Sequence, residues 1–112
     1  MNHISHGDVN LRPITKEEYQ NLIQGTQKVE HSGKFVLAEG ETSGHKHILT
    51  VERPETLTIH RTKDGRGLFA FSAPGTITHE EHKPLTTTEQ FYIQEPEREF
   101  DWFAKEARVV ID

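Results

Sequence analysis

The 112-residue chain is expected to fold as one mainly β domain, a small antiparallel β-barrel or sandwich with one short N-terminal helix. Three observations predict this. Short segments of alternating apolar and polar residues recur along the chain. Turn signals built from Gly, Pro and Asp separate them at intervals of about eight to twelve residues. Only one stretch combines helical periodicity with a matching start signal.

Residues 9–14, Val9-Asn10-Leu11-Arg12-Pro13-Ile14, alternate apolar and polar and read as a first strand. The helix over 16–24 has a marked beginning. Thr15 caps it, Glu18 three residues on completes a capping box, and Ile14 staples against Tyr19. Tyr19, Leu22 and Ile23 form its apolar stripe and Gly25 stops it. From Lys28 onward the pattern is β. Residues 35–38 and 47–51 read as strands around the loop Gly40-Glu41-Thr42-Ser43-Gly44. Residues 57–61 and 68–72 pair as a hairpin across Lys63-Asp64-Gly65-Arg66. Pro74-Gly75 marks a bend before an extended 76–79, and 90–94 is a further strand. Asp101 begins a helical turn through Trp102 and Phe103, ahead of a last strand over 108–111. The total is seven or eight strands in a single domain, 1–112.

With 32% apolar and 28% charged residues the core is expected to be thin, so that a bound metal or partner subunit would matter for stability. Six Phe against one Met and one Trp point to aromatic packing between sheets. A net charge of -5, with scattered basic residues, excludes nonspecific nucleic-acid binding. The longest apolar runs are far too short to span a membrane. No secretory signal opens the chain, and a cytoplasmic location is expected. Without cysteine there is no disulfide, no thiolate zinc site and no thiol nucleophile.

The residues with an evident chemical use are two histidine pairs, His45-Lys46-His47 and His79-Glu80-Glu81-His82. Imidazole is the commonest protein ligand for a transition metal. On a strand His45 and His47 share a face with Leu49 and Val51, so the pair points toward an apolar interior. His79 continues the alternation of Ile77 and is expected to face inward. His82, three positions on, joins the same site only if the chain turns tightly at Glu80-Glu81. Glu81 is the candidate for proton transfer beside such an ion, the alternative being that Glu80 and Glu81 cap a surface turn. His3, His6, His31 and His60 show no partner pattern.

The segment His45-Lys46-His47 with Glu52, followed by Pro74-Gly75 and His79, resembles the two-part metal motif of the cupin superfamily. The resemblance implies a small β-barrel in which His45, His47, Glu52 and His79 hold Fe, Mn, Ni or Zn. The adjacent Pro74-Gly75, and Arg53-Pro54-Glu55 where a glycine is expected, depart from that motif. The chain also resembles small bacterial and phage proteins of unassigned activity. They share Gly7-Asp8-Val9, Gly40-Glu41 with Gly44-His45-Lys46-His47, His79 to Pro84, and Arg98-Glu99-Phe100-Asp101. This likeness implies that Glu41 and His82 belong with the other histidines.

Glu95, Glu97 and Glu99 alternate on one face, either as a solvated strand edge or as an acidic wall orienting histidines. Three functional classes follow. One is a metal-binding β-barrel, with or without catalysis, built on His45, His47, His79 and His82 and a divalent Zn, Fe, Mn or Ni. Another is a non-enzymatic bacterial or phage β-module with incidental histidines. The third is a barrel that binds a small-molecule ligand without metal, whose histidines hydrogen-bond an anion in the same cavity; a homodimer through exposed strand edges is compatible with the composition.

Overall fold

The capping box forms as the sequence predicts, and it anchors one outer layer of the fold. The computed structural model describes residues 3–6, 9–39, 46–80 and 82–95, with the backbone alone for Ala38 and Glu39. Helix α1 runs Lys16–Leu22. The Glu18 N–H donates to Thr15 Oγ1 and the Thr15 N–H to Glu18 Oε1, each at 3.0 Å. The bond from the Thr15 backbone is the main reason the Glu18 carboxyl lies below its ordinary value. The helix is slightly shorter than expected, with Ile23 as its cap and Gly25 at φ 78 completing the turn away. Ile14 and Tyr19 are buried together with Leu68, Phe91 and Ile93, and the Tyr19 and Phe91 rings are 4.6 Å apart.

The strands form two antiparallel sheets. One has, in spatial order, β1 (Ile4–His6), β2 (Val9–Pro13), β10 (Phe91–Glu95), β7 (Gly67–Phe71), β6 (Leu57–Arg61) and β3 (Gln27–Val29). The other has β4 (Lys34–Glu39), β5 (Lys46–Thr50), β8 (Thr76–Thr78) and β9 (Leu85–Thr86). Val9, Leu11, Ile59, Phe69 and Tyr92 from the first sheet pack with Leu49 and Ile77 from the second, all fully buried. Each such burial contributes roughly 1.5–3 kcal/mol. The polar composition therefore still leaves a continuous core between the sheets.

On β7 and β10 both faces are covered. Phe69 and Tyr92 turn into the sandwich, while Leu68, Phe91 and Ile93 turn toward α1. Two-sided burial is why these segments read as unbroken apolar runs. The expected aromatic contact between sheets is present, Phe35 of β4 lying edge-on to Phe69 of β7 at 5.9 Å.

Of the two architectures expected, the sandwich is the one formed. Among the described residues one sheet ends on β1 and β3 and the other on β4 and β9, so neither closes into a barrel. Strands β1, β3 and β9 exceed the expected tally. Each has three residues or fewer, too short for alternation to show. The helical turn at Asp101, with Trp102 and Phe103, and the strand over 108–111 lie outside the described residues. No helix among the described residues is long and apolar enough to cross a membrane.

Two details of register set the site. On β5 the burial alternates so that His47 and Leu49 face the core, followed by Val51. Opposite, Val36 pairs with Ile48 but Ala38 pairs with His47, leaving Leu37 as a bulge. Bulges bend a strand and increase its twist. The Leu37 carbonyl is taken up by Gln94 Nε2 of the other sheet at 3.0 Å.

Candidate histidine site

Four imidazoles from both sheets meet at one end of the sandwich. His47 enters from β5, His79 from the residue after β8, His82 from the segment leading to β9, and His6 from β1. The His47 and His79 rings stack at 4.2 Å with 25° between their planes. His79 and His82 are 4.8 Å apart, His6 and His82 5.3 Å, and His47 and His82 5.8 Å.

The inward orientation of His47 follows from β5 parity, and it is 4% exposed. His79 is half-buried beyond the buried Ile77, as alternation predicts. The chain bends at Glu80 and at His82, on either side of Glu81, which lies outside the described residues, and the His82 ring comes within 4.8 Å of that of His79. His82 itself is exposed. A gradient results, from buried His47 through His79 to the surface.

His6 is the correction to the sequence reading, which left it without a partner. It is 3% exposed, and both of its ring nitrogens are engaged. Its Nδ1 lies 3.0 Å from His47 Nδ1 and its Nε2 lies 2.8 Å from the Lys83 carbonyl. The register places His6 opposite fully buried Val9, with Ile4 on the same inward face. One signal was available. Gly7-Asp8 is a two-residue hairpin loop by composition, and a hairpin there turns His6 to the same side as Val9. No local feature, however, announces contacts 41 and 77 positions away.

The other candidates divide plainly. His45, Glu41 and the catalytic candidate Glu81 lie outside the described residues, as do Glu97 and Glu99. Glu52 is exposed and follows Val51, whose side chain is in the core, so its parity sets it against the histidine face. Glu95 shares the α1-facing side of β10 with Phe91 and Ile93. There it pairs with Arg12 at 2.6 Å and Arg66 at 3.7 Å, so it does not orient the histidines. His31 and His60 are held elsewhere, His31 by the Leu57 carbonyl and the Gly33 N–H and His60 by the Thr26 hydroxyl.

Chemically, the cluster offers several nitrogen donors within a few ångströms, half of them shielded from water. Stacked rings hold their lone pairs in nearly parallel planes, so the two nitrogens do not converge on a point between the rings without a rotation. As they stand, no three or more His, Asp or Glu side chains among the described residues form a group able to hold a metal ion. Nor do the four histidines line the groove of about 470 Å³ bounded by Phe71, Pro74, Thr87 and Gln90.

A family model described as a domain of unknown function, DUF8820, matches residues 5–93. The chain belongs to that family. The matched span of the DUF8820 domain contains His6, His47, His79 and His82. No curated protein and no solved structure matches the chain.

Proposed function

We propose that this DUF8820 domain is a cytoplasmic β-sandwich that binds a divalent transition metal ion, Zn, Fe, Mn or Ni, through His47, His79 and His82. The observation that supports this reading is the gathering of imidazoles from two sheets, with His47, His79 and His82 within 5.8 Å of one another ring to ring. Three imidazoles with an open position are a recurrent zinc arrangement, whose nitrogens lie about 2.0–2.1 Å from the ion. Loading requires His79 to leave its stack and turn its lone pair toward that of His47. Its half-buried setting, with exposed His82 beside it, leaves room for the rotation.

His45, on the same alternation as His47, is the further ligand to test. Glu81, between His79 and His82 in the chain, is the carboxylate for moving a proton at the ion if the domain is catalytic. What this reading keeps of the cupin resemblance is the pairing of a His-x-His strand with a later histidine, without Glu52.

A second reading rests on the hydrogen bonds alone. His6, with both ring nitrogens engaged, already ties β1 to β5 and to Lys83, and such a network holds the sheets together without an ion. Elemental analysis of untagged protein, with zinc and nickel titration, separates the two. Uptake near one equivalent, reduced by His47→Ala and by His79→Ala, is the expected result. Less than about a tenth of an equivalent, with no uptake on titration, would leave only the hydrogen-bonded cross-link.

A further inference from the structure

We infer that His6 is a positioning residue which fixes the ring of His47 so that His47 presents Nε2 to the ion. The inference rests on the ion-binding reading above, but its first test needs no ion.

A backbone carbonyl only accepts hydrogen bonds, so the 2.8 Å contact to Lys83 places the proton of a neutral His6 on Nε2. Its Nδ1 then carries the lone pair and faces His47 Nδ1 at 3.0 Å. Two lone pairs at that distance repel, so His47 Nδ1 must hold the hydrogen and donate it. A neutral imidazole has one N–H, which leaves the lone pair of His47 on Nε2.

The chain of groups is therefore Lys83 carbonyl, His6, His47, and then the ion. Metal-ligating histidines commonly donate their second nitrogen to a carbonyl or carboxylate, which sets the tautomer and raises ligand basicity. Here another imidazole, itself locked by a carbonyl, occupies that place. Its burial fits the role. His6 and His47 are 3% and 4% exposed, whereas the remaining ligands lie toward the surface. The contact also crosses the sandwich, from β1 in one sheet to β5 in the other, so the ligand is oriented by a residue that shares no strand pairing with it.

Long-range ¹H–¹⁵N spectra of histidine-labelled protein read each tautomer directly. In the metal-free wild type His6 is expected as the Nε2–H form and His47 as the Nδ1–H form. On zinc addition the His47 Nε2 signal moves while its Nδ1 stays protonated, and neither His6 nitrogen takes a coordination shift. His6→Ala lets His47 populate both tautomers and weakens zinc binding roughly 10- to 100-fold. His6→Gln, with an amide to donate to Lys83 and an oxygen to accept from His47, restores most of both. If His6→Ala does not fold, the wild-type spectra decide. A His6 found as Nδ1–H, as the doubly protonated ring, or coordinated to zinc overturns the role while leaving ion binding intact. Zinc that shifts no histidine overturns ion binding and the role together.

Discussion

The Thr62–Arg66 turn and the histidine end are both held by side-chain hydrogen bonds, yet they are specified in opposite ways. At the turn the hydrogen bonds join near neighbours, and Arg66 also reaches Glu95 of β10 at 3.7 Å. The Thr62 N–H donates to the Arg66 carbonyl at 2.9 Å, Gly65 adopts φ 89, and Asp64 accepts from the Thr62 hydroxyl and from Arg66 at 3.0 Å. Those bonds, the one from Thr62 first, hold the Asp64 carboxyl below its ordinary value. At the histidine end each contact of His6 closes a loop of dozens of residues and forms only once both sheets have packed. The local bonds are expected to survive partial loosening of the core, whereas the histidine contacts require both sheets in place.

That contrast can be broken at the core. Leu49 is fully buried on the same face of β5 as His47. Leu49→Ala is expected to cost about 2–5 kcal/mol in urea unfolding, and to scatter the histidine tautomers while the local turn still forms. Gly75 offers a milder probe, because an added Cβ would sit 2.8 Å from Phe71 and 3.1 Å from Leu49. Gly75→Ala is expected to destabilise by about 1–3 kcal/mol through overpacking.

An ion would sharpen the contrast in the other direction. Zinc at about 100 times its Kd should raise stability by about 2.7 kcal/mol, seen as a higher melting temperature. His47→Ala should abolish the rise, and Asp64→Asn should leave it unchanged. Without ion, His6→Ala leaves the Lys83 carbonyl and the His47 ring without their bonds to it, at a cost of about 1–3 kcal/mol. Calorimetry of the apo variant checks this.

The smallest effects belong to the local motifs. Thr15→Ala should cost about 1 kcal/mol by removing the helix cap. Glu18 and Asp64 both have lowered folded values, so their contribution is present above the ordinary carboxylate range and is lost as pH falls through the folded value. Urea midpoints compared at about pH 7 and pH 3 should therefore fall less on acidification in Glu18→Gln and Asp64→Asn than in the wild type.

How much was legible follows the same division. Thr15, Glu18, Gly25 and the 62–66 turn could be read because their partners lie within four positions. Period-two alternation also gave the inward face of His47, and the placement of His79 beyond Ile77. The ends of β1, β3 and β9 could not be read, since a strand of two or three residues carries no period. His6 shows no partner pattern in the sequence because its hydrogen-bond partners lie 41 and 77 positions away.

The sequence by itself determined the mainly β class, the single capped helix, the turns and the facing of most strand residues, because each depends on interactions between close neighbours. Only the tertiary structure decided that the sheets stack as an open sandwich, that Glu95 pairs with Arg12 and Arg66 away from the histidines, and that His6 bonds to His47. Those outcomes depend on which strand edges pair across long loops. That choice is made by burial of the whole core, which no local segment encodes.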